Sequence, residues 1–374
     1  MPNQPMTLYG VPNSLYTGRA RSYFIKAGLP YREVSPADGH YQSHVIAAAG
    51  GRLGLPTIEL EDGAVIRDGA SIIDHFEAQS GHTFSPATPK QRFFSRLFDA
   101  IGAEGLLRPA MHYRWNFDEE NLAYLEFHFA MLAPPGEQGQ QIAKAAAQAM
   151  RKAAVAFGVT PETVPMVEEV YTEQLAALDA HFAAYPYLLG GRPCIGDFGL
   201  YAPLFAHLGR DPKPLMMMMT DALRLYRWVE RMGRETSDIV EFPDRSETYL
   251  ADDAIPETLV ALLKALAIDF APETLAAADT INAWIADQDE LAPSSRCERS
   301  VGMTSFEVRG TPVSAIAQPY RFYLLARAQA ELKAMNNADR EAVGAILKKT
   351  GLEEALATTL TREVAIRDNQ EVWL

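Results

Sequence analysis

Short apolar runs and one amphipathic helix alternate at the start of the chain. The apolar runs 6–10 and 31–35 predict two strands. Between them, the helical pattern 16–27 ends at Gly28, and Pro30 follows shortly afterwards. A glycine after the last helical residue and a proline just beyond it are typical of a helix C-terminus. These residues therefore predict a strand, a helix and a second strand in succession.

A turn signal separates the next two apolar runs. Asp62-Gly63 lies between the runs 55–60 and 64–66, and Asp-Gly between alternating apolar residues favours a β-hairpin. Asp68 then begins a helix with one apolar face. The order strand, helix, strand, hairpin, helix predicts a small α/β sandwich over residues 1–85.

Helical periodicity dominates the middle of the chain. Apolar residues recur at three-to-four spacing in the stretches 142–156, 166–184 and 220–235, which is typical of amphipathic helices. Proline and glycine breakers separate the helical stretches. We therefore expect residues 90–248 to form an all-helical bundle.

The last part of the chain mixes both patterns. The stretches 256–267 and 274–286 predict two helices, 301–313 predicts a hairpin, and 320–335 predicts a further helix. The charged residues of this part accompany an ordinary apolar content, which favours an ordered unit over an acidic tail. We expect residues 251–374 to form a smaller, mostly helical α+β extension.

Composition and charge narrow the class of protein. A chain of 374 residues exceeds the usual size of one hydrophobic core, and 48% hydrophobic residues suffice for several cores. The net charge of -14 disfavours nucleic acid and anionic membrane surfaces as partners. No apolar run approaches the roughly 20 residues that a membrane span needs. Two cysteines and a start without a leader pattern predict a cytoplasmic protein.

Three sequence elements resemble one known family. The first is SLYTGRAR at 14–21, followed by KAGLPYREV at 26–34; the second is Leu55-Pro56 ahead of a strand and a Glu-Asp-Gly turn; the third is RPCIGDF at 192–198. In this order and spacing they resemble the glutathione transferase family over about residues 6–240. The resemblance implies a thioredoxin-like N-terminal domain and a helical C-terminal domain. The segment 251–374 lies outside the family's usual two-domain pattern, although long bacterial members with such an extension exist.

Ser14 is the candidate catalytic residue. A hydroxyl at a helix N-terminus lies where backbone N–H groups and the helix dipole favour negative charge, so it can stabilise a bound thiolate. Lowering a thiol pKa of about 8.5 by two requires roughly 2.7 kcal/mol. Thr17 and Tyr9 are reserve hydroxyls for the same task. The alternative is that Ser14 only caps the helix.

The resemblance also implies a glutathione site. In the family, a residue in the position of Leu55, before a cis proline in the position of Pro56, pairs with the peptide backbone of glutathione. Asp68-Gly69 matches the residues that bind the γ-glutamyl group, but Gly69 lacks the serine hydroxyl of the family pattern. That departure weakens the expected binding by roughly 1.5 to 3 kcal/mol unless Ser71 compensates.

The glycyl carboxylate of glutathione requires a cation or a donor from the loop before the proline. The family's basic or amide position is Gly54 in this chain, which leaves Arg52, His40 or Gln42 as substitutes. The alternative is that His40 is an ordinary surface histidine.

Two further groups lie in the helical part. Tyr113, Arg114 and Trp115 form the candidate wall of a pocket for an apolar electrophile, or else a packing seam between domains. Cys194 and Asp197 are expected to cap a central helix of the bundle, as in a capping box.

Cys297 lies in the polar stretch PSSRCERS, which predicts an exposed thiol whose pKa is lowered by its neighbours Arg296 and Arg299. Metal-binding, phosphate-loop and nucleophile-elbow motifs do not occur in the sequence, so no metal site is expected.

The sequence therefore predicts a glutathione transferase-like enzyme. It would use glutathione as co-substrate, stabilise its thiolate and present it to a hydrophobic small molecule, and the family implies a homodimer. The alternatives are a noncatalytic binding protein with a degenerate glutathione site, and a glutathione-dependent lyase, isomerase or dehalogenase.

Overall fold

The computed structural model describes residues 5–236 and 238–374. Residues 1–4, which fall within the predicted first unit, lie outside the described residues. The first unit is a four-stranded sheet with helices packed on it. Its elements are β1 Met6–Tyr9, α1 Leu15–Lys26, β2 Tyr31–Val34, the π-helical turn Tyr41–Val45 that continues into α2 Ile46–Ala48, β3 Thr57–Glu59, β4 Val65–Arg67 and α3 Gly69–Ser80.

The strands follow the order β2-β1-β3-β4. Strand β1 runs parallel to β2 and antiparallel to β3, and Leu8 on β1 pairs with Ile58 on β3. Both side chains are completely buried, because α1 and α3 cover the sheet. The predicted order of strands and helices is confirmed, and the domain is thioredoxin-like.

A helical bundle follows the sheet. Its helices are α4 Pro89–Glu104, α5 Leu107–Trp115, α6 Asp118–Ala130, α7 Glu137–Ala156, α8 Val164–Ala184, α9 Ile195–Ala206, α10 Pro212–Asp221 and α11 Leu223–Met232. Helices α4 and α9 form the centre of the bundle, and α1 of the first unit also packs on α9. The two central helices meet at Gly102, where a Cβ atom would lie 2.3 Å from the backbone nitrogen of Leu200. Only glycine permits this approach.

The remaining elements alternate helices with two hairpins. They are the 3-10 turn Ala251–Asp253, α12 Glu257–Ala286, β5 Met303–Val308, β6 Thr311–Ile316, α13 Pro319–Ala334, α14 Asn337–Thr350, α15 Glu353–Ala357, β7 Val364–Arg367 and β8 Gln370–Trp373. The predicted α+β character of this part is confirmed.

One helix differs from the sequence prediction. The two helices expected at 256–267 and 274–286 are a single helix, α12, which continues through Pro272. Proline removes one backbone hydrogen bond and normally ends or kinks a helix. Here Phe270 and Ile281, on either side of the proline, are both completely buried. Burial of the two halves in one core offsets the lost hydrogen bond.

The extension packs onto both preceding units. Helix α12 lies along α8, and α13 lies along α4. The tip of the β7–β8 hairpin reaches β4, where the Asn369 side chain accepts a hydrogen bond from the Arg67 N–H at 3.0 Å and donates one to the Val65 carbonyl at 2.9 Å. The extension thereby forms part of the wall of the site in the first unit.

Candidate functional site

Two adjoining cavities lie where the three parts of the chain meet. A polar cavity of about 200 Å³ contains Asp68 and Glu371 in its wall. An apolar cavity of about 400 Å³ lies beside it, and Ser14 is part of its wall. Four residues line both cavities: Tyr16, Leu55, Arg299 and Gln318. The cavities are therefore two compartments of one cleft.

Ser14 is the N-cap residue of α1. Its backbone is extended (φ -82°, ψ 125°), and its hydroxyl oxygen accepts a hydrogen bond from the Thr17 N–H at 3.3 Å. The remaining N–H groups of the first turn have no acceptor within the helix. No acidic side chain lies in this turn, so the positive end of the helix dipole is not neutralised there. The hydroxyl and the helix end can together stabilise an anion in the apolar cavity.

The two reserve hydroxyls do not lie in the cleft, which corrects that expectation. The Tyr9 hydroxyl donates to the Glu59 carboxylate at 3.0 Å. Thr17 is completely buried, and its side chain fills the space where a Cβ of Gly10 would lie. Neither residue lines either cavity. Both side chains contribute to packing in the first unit.

Leu55 and Asp68 both border the polar cavity. The Leu55–Pro56 peptide bond is cis. Asp68 caps α3: its Oδ2 accepts hydrogen bonds from the backbone N–H groups of Ala70 and Ser71, both at 3.1 Å. The Ser71 hydroxyl also donates to Asp68, at 3.3 Å. The hydroxyl expected to compensate for Gly69 is therefore directed at the carboxylate itself.

Gly69 leaves room for a side chain. A Cβ atom at this position would meet Arg19 at 3.4 Å and the Tyr16 carbonyl at 3.5 Å, which are ordinary contact distances. A Cβ atom at this position therefore requires no displacement of its neighbours.

Residues of the extension pair with charged side chains that line the polar cavity. The Tyr320 hydroxyl donates to Asp68 Oδ1 at 2.6 Å. Glu371 accepts from Arg67 at 2.8 Å and from Arg52 at 3.2 Å. Burial disfavours the Glu371 carboxylate, but the charge and hydrogen bond of Arg67 outweigh burial and lower the pKa of Glu371. Arg52 lies at the cavity as predicted, although its charge is already paired.

His40 is not part of the cleft. Its ring pairs with Glu59 at 3.0 Å, and half of its side chain is exposed. It stacks on His44, at 5.1 Å between ring centroids. The surface interpretation of His40 agrees with this geometry, and the proposed contact with a glycyl carboxylate does not.

The aromatic run on α5 divides between core and cavity. Arg114 and Trp115 line the apolar cavity. Tyr113 does not, because its ring is buried against Phe117, at 5.4 Å between centroids. Arg114 donates to both oxygens of the buried Asp211, at 2.6 and 2.8 Å, so its charge is neutralised. Tyr113 is therefore corrected from a pocket residue to a core residue.

Cys194 and Asp197 lie at the N-terminus of α9, outside the cleft. Asp197 accepts hydrogen bonds from the backbone N–H of Cys194 at 2.9 Å and from Trp228 Nε1 at 3.0 Å. Burial raises the pKa of Asp197 to about 6. Burial also raises the pKa of the Cys194 thiol, which disfavours the reactive thiolate form.

Cys297 differs from its prediction. The residue is 3% exposed and lies in the wall of the polar cavity. Burial first, and then the charge of Glu371, raise its pKa to about 12. The polar neighbours in the sequence indicated an exposed, reactive thiol. In the structure, the Ser294 N–H donates to the Trp373 carbonyl and the Cys297 N–H donates to the Glu371 carbonyl. These hydrogen bonds hold the stretch against β8.

Sequence reasoning missed Tyr16 and Glu104. Tyr16 lines both cavities, and its hydroxyl donates to Glu104 Oε1 at 3.3 Å. Burial raises the pKa of Glu104 to about 7. Tyr16 lies within the quoted motif SLYTGRAR, but the Glu104 partner is 88 positions away. The sequence signal that could have identified Tyr16 is its hydroxyl, two residues after the N-cap residue Ser14.

Residues 5–236 and 238–374 contain no cluster of His, Cys, Asp and Glu side chains arranged to hold a metal ion. Over the same residues, no helix combines the length and the apolar character needed to cross a membrane.

The N-terminal unit matches a known domain family. Residues 8–84 match the family described as glutathione S-transferase, N-terminal domain. The comparison with curated proteins gives no match. Solved structures also show a likeness to this chain.

Three solved structures illustrate that likeness. Glutathione transferase GSTFuA3 from Phanerochaete chrysosporium is 17% identical, with a TM-score of 0.45, covering 62% of this chain and 98% of its own. Beta-etherase LigF from Sphingobium sp. strain SYK-6 is 16% identical, with a TM-score of 0.43, covering 64% and 99%. A glutathione S-transferase from Methylobacterium radiotolerans in complex with glutathione sulfonate is 15% identical, with a TM-score of 0.38, covering 66% and 98%.

Proposed function

We propose, from the membership of the N-terminal domain, residues 8–84, in the glutathione transferase family, that the protein binds glutathione in the cleft. It activates the glutathione thiol for attack on a hydrophobic electrophile. Ser14 and the N-terminus of α1 stabilise the thiolate. The electrophile occupies the apolar cavity, and the peptide part of glutathione occupies the polar cavity.

The position of Ser14 is the observation that carries the proposal. Its hydroxyl is at an uncompensated helix N-terminus and in the wall of the apolar cavity. Leu55 borders both cavities, so a peptide lying along Leu55 in the polar cavity can extend its thiol towards Ser14. A helix end and a hydroxyl stabilise an anion by charge and hydrogen bonding together.

The apolar cavity suits an electrophile that carries a polar atom. Leu107, Met111 and Phe157 supply apolar walls. Among the described residues, Trp115 Nε1 and His207 Nδ1 are buried without a hydrogen-bond partner. Burial lowers the pKa of His207, which keeps its ring neutral. A mostly apolar pocket with a few polar groups is typical of small-molecule sites.

Arg299 is the cation we assign to a carboxylate of glutathione. It lines both cavities, and its guanidinium donates to the Leu53 carbonyl at 3.2 Å. No ion pair of Arg299 with a carboxylate occurs among the described residues. Arg52 and Arg67, in contrast, are both paired with Glu371. This assignment replaces the predicted use of Arg52 or His40.

Substitution of Ser14 tests the proposal. The protein is expected to be retained on immobilised glutathione and to conjugate glutathione with chlorodinitrobenzene. Ser14→Ala should lower kcat by about 10²-fold, since removal of one donor to a developing anion has an effect of that order. Ser22→Ala is the matched control, because Ser22 lies on the same helix and donates to the Met232 carbonyl at 2.8 Å, outside the cleft.

The outcomes separate the enzyme from the residue assignment. If the protein shows neither retention nor turnover, the proposed enzyme is wrong. If turnover is present and Ser14→Ala equals Ser22→Ala, glutathione chemistry stands but the role of Ser14 is refuted.

A second candidate function rests on the contacts made by the extension. Tyr320 engages Asp68, and Glu371 engages Arg52 and Arg67, so charged groups of the polar cavity already have partners within the chain. This favours a binding protein whose glutathione site is closed. In that case the unaltered protein passes through immobilised glutathione and does not turn over substrate, whereas Glu371→Gln is retained.

The homodimer and the cytoplasmic location implied by the family and by composition belong to the same proposal. Sedimentation equilibrium of the full chain tests the first, and cell fractionation tests the second.

A further inference from the structure

Tyr16 links the two compartments of the cleft. It follows Ser14 by two residues, in the first turn of α1, and lines both the polar and the apolar cavity. Its hydroxyl donates to Glu104 Oε1 at 3.3 Å. Glu104 itself lines the polar cavity. One hydrogen bond therefore joins a hydroxyl that lines the cleft to a carboxyl group at the end of α4.

The Glu104 carboxyl group has few compensating partners. Four groups face it: Tyr16 and Arg19 on α1, Glu273 on α12 and Arg321 on α13. Arg19 is paired with Asp99, and Arg321 is paired with Glu273 at 2.7 Å. The charges of Arg321 and Arg19 lower the pKa of Glu104, but burial outweighs them. Glu104 is also the last residue of α4, where the helix dipole disfavours a negative charge.

Burial is the largest influence on the ionisation of Glu104. The residue is 3% exposed, and burial raises its pKa to about 7. Near neutral pH both the acid and the carboxylate forms are populated. A group whose pKa lies near the working pH is suited to general acid–base catalysis.

The polar cavity contains a second tyrosine–carboxylate pair, Tyr320 and Asp68, whose carboxylate accepts more hydrogen bonds than that of Glu104. Asp68 accepts hydrogen bonds from Ala70, Ser71 and Tyr320. In the described part of the chain, only the Tyr16 hydroxyl donates to the Glu104 side chain. The Glu104 carboxylate therefore retains the capacity to take a proton, whereas the Asp68 oxygens are occupied.

We propose that Glu104 and Tyr16 form the acid–base pair of this site, with Tyr16 relaying to Glu104 the proton that leaves the glutathione thiol. The inference rests on the proposed function, since it concerns the same thiol. It assigns the proton to a stated acceptor, which the stabilisation of the thiolate by Ser14 does not.

The proton transfer balances without a further reactant. The thiol proton moves to Tyr16 Oη while the Tyr16 hydroxyl proton moves to the Glu104 carboxylate, and the S–H electron pair remains on sulfur. With an α,β-unsaturated ketone as electrophile, the thiolate forms the new C–S bond and the C=C π pair moves to give an enolate. Tyr16 protonates the enolate and Glu104 returns its proton to Tyr16, which restores both side chains.

Tyr16→Phe and Glu104→Gln test the pair in the full chain. Tyr23→Phe is the matched control: Tyr23 lies on the same helix, and its hydroxyl donates to a buried glutamate, Glu77, at 3.0 Å, but it lines neither compartment of the cleft. Conjugation of glutathione to an α,β-unsaturated ketone is measured as kcat against pH.

In the unaltered protein, kcat should fall tenfold per pH unit below about pH 7, because protonated Glu104 cannot take the thiol proton. Glu104→Gln should lower kcat at pH 8 by 10² to 10⁴-fold and move the fall in kcat from about pH 7 to the pKa of the bound thiol itself. Tyr16→Phe should lower kcat similarly, and Tyr23→Phe should retain both the rate and the profile.

The count of protons released on glutathione binding is a readout that a purely structural role would not change. Calorimetry in two buffers of different ionisation enthalpy gives this count, and ultraviolet absorption reports the thiolate. At pH 8, the unaltered protein should form the thiolate and release clearly less than one proton to the buffer, because the charge of the nearby thiolate raises the pKa of Glu104 above about 7. Glu104→Gln should either form no thiolate or release about one proton per thiolate.

Two results would overturn the pair while leaving the proposed function intact: unchanged pH profiles in both variants, or a full proton released by the unaltered protein. If Ser14→Ala abolishes turnover while Glu104→Gln and Tyr16→Phe do not reduce it, the same conclusion follows. Absence of any glutathione binding by the unaltered protein removes the function and the pair together. Should Glu104→Gln fail to fold, Tyr16→Phe decides, since it keeps the ring and the buried carboxyl.

Discussion

Replacement of Glu104 by glutamine is expected to stabilise the fold at neutral and alkaline pH, independently of any catalysis. Burial raises the pKa of Glu104 from its usual 4.5 to about 7 in the folded protein. The unfolded chain ionises this group near its usual pKa, so between these two values the folded state binds the proton more tightly. Its contribution to stability is complete below pH 4.5 and is lost as the pH rises through about 7.

The magnitude follows from the two pKa values. They differ by about 2.5, and each pKa unit corresponds to roughly 1.4 kcal/mol. The free energy of unfolding of the unaltered protein should therefore lose about 3 kcal/mol from this one group between pH 4.5 and pH 8. Glutamine has no charge to desolvate, so the Glu104→Gln variant is spared this loss.

Urea unfolding of both proteins at several pH values, followed by tryptophan fluorescence, measures the effect. Other groups that titrate in this range, such as Asp197 with a pKa of about 6, are common to both proteins and cancel in the difference. The stability difference between Glu104→Gln and the unaltered protein should grow by about 3 kcal/mol from pH 4.5 to pH 8. A difference that stays constant across this range would refute the raised pKa of the buried carboxyl group and with it the basis of the acid–base pair.

Three further predictions concern residues whose positions the structure defines. Asp211→Ala should lower the free energy of unfolding by roughly 3 to 5 kcal/mol in urea titrations, because it leaves the buried Arg114 guanidinium without its ion pair; an effect below about 1 kcal/mol would contradict this. Tyr9→Phe should leave kcat for glutathione conjugation within about twofold of the unaltered protein, because its hydroxyl bonds to Glu59 away from the cleft; a loss as large as that of Ser14→Ala would restore Tyr9 as a catalytic candidate. Cys194 and Cys297 should both resist a thiol reagent at pH 8 in the folded protein and react after unfolding, because burial raises the pKa of each; rapid labelling of the folded chain would refute their burial.

The predictable part of the fold rests on short-range signals. The Gly28 stop, the Asp62-Gly63 turn and the Ser14 N-cap all depend on neighbours within a few residues, and the structure contains the corresponding helix ends and hairpin. The prediction at Pro272 was wrong because it also used a short-range signal. A proline normally ends a helix, but α12 continues through Pro272, with buried residues on both sides of it.

The cleft could not be predicted from the sequence, because it is formed by contacts between residues that are far apart in the chain. The Tyr16 hydroxyl became a candidate only when α4 brought Glu104 to it. Cys297 looked exposed from its polar neighbours, and only the packing against β8 buries it. The departures at Gly54 and Gly69 were visible in the sequence, but the groups that complete the wall, Arg299 among them, lie in the extension. No local pattern in residues 251–374 indicates which side chains face the first unit.

The hydrogen bond between Tyr320 and Asp68 spans 252 positions, and that between Glu371 and Arg67 spans 304. The ribosome makes a chain from its N-terminus, and domains generally fold as units during synthesis. The sheet and α1 of the first unit are thus made long before the residues that close the polar cavity. During that interval Arg52 and Arg67 lack their carboxylate partner, and the nascent chain presents a more open and more positively charged cleft than the finished protein.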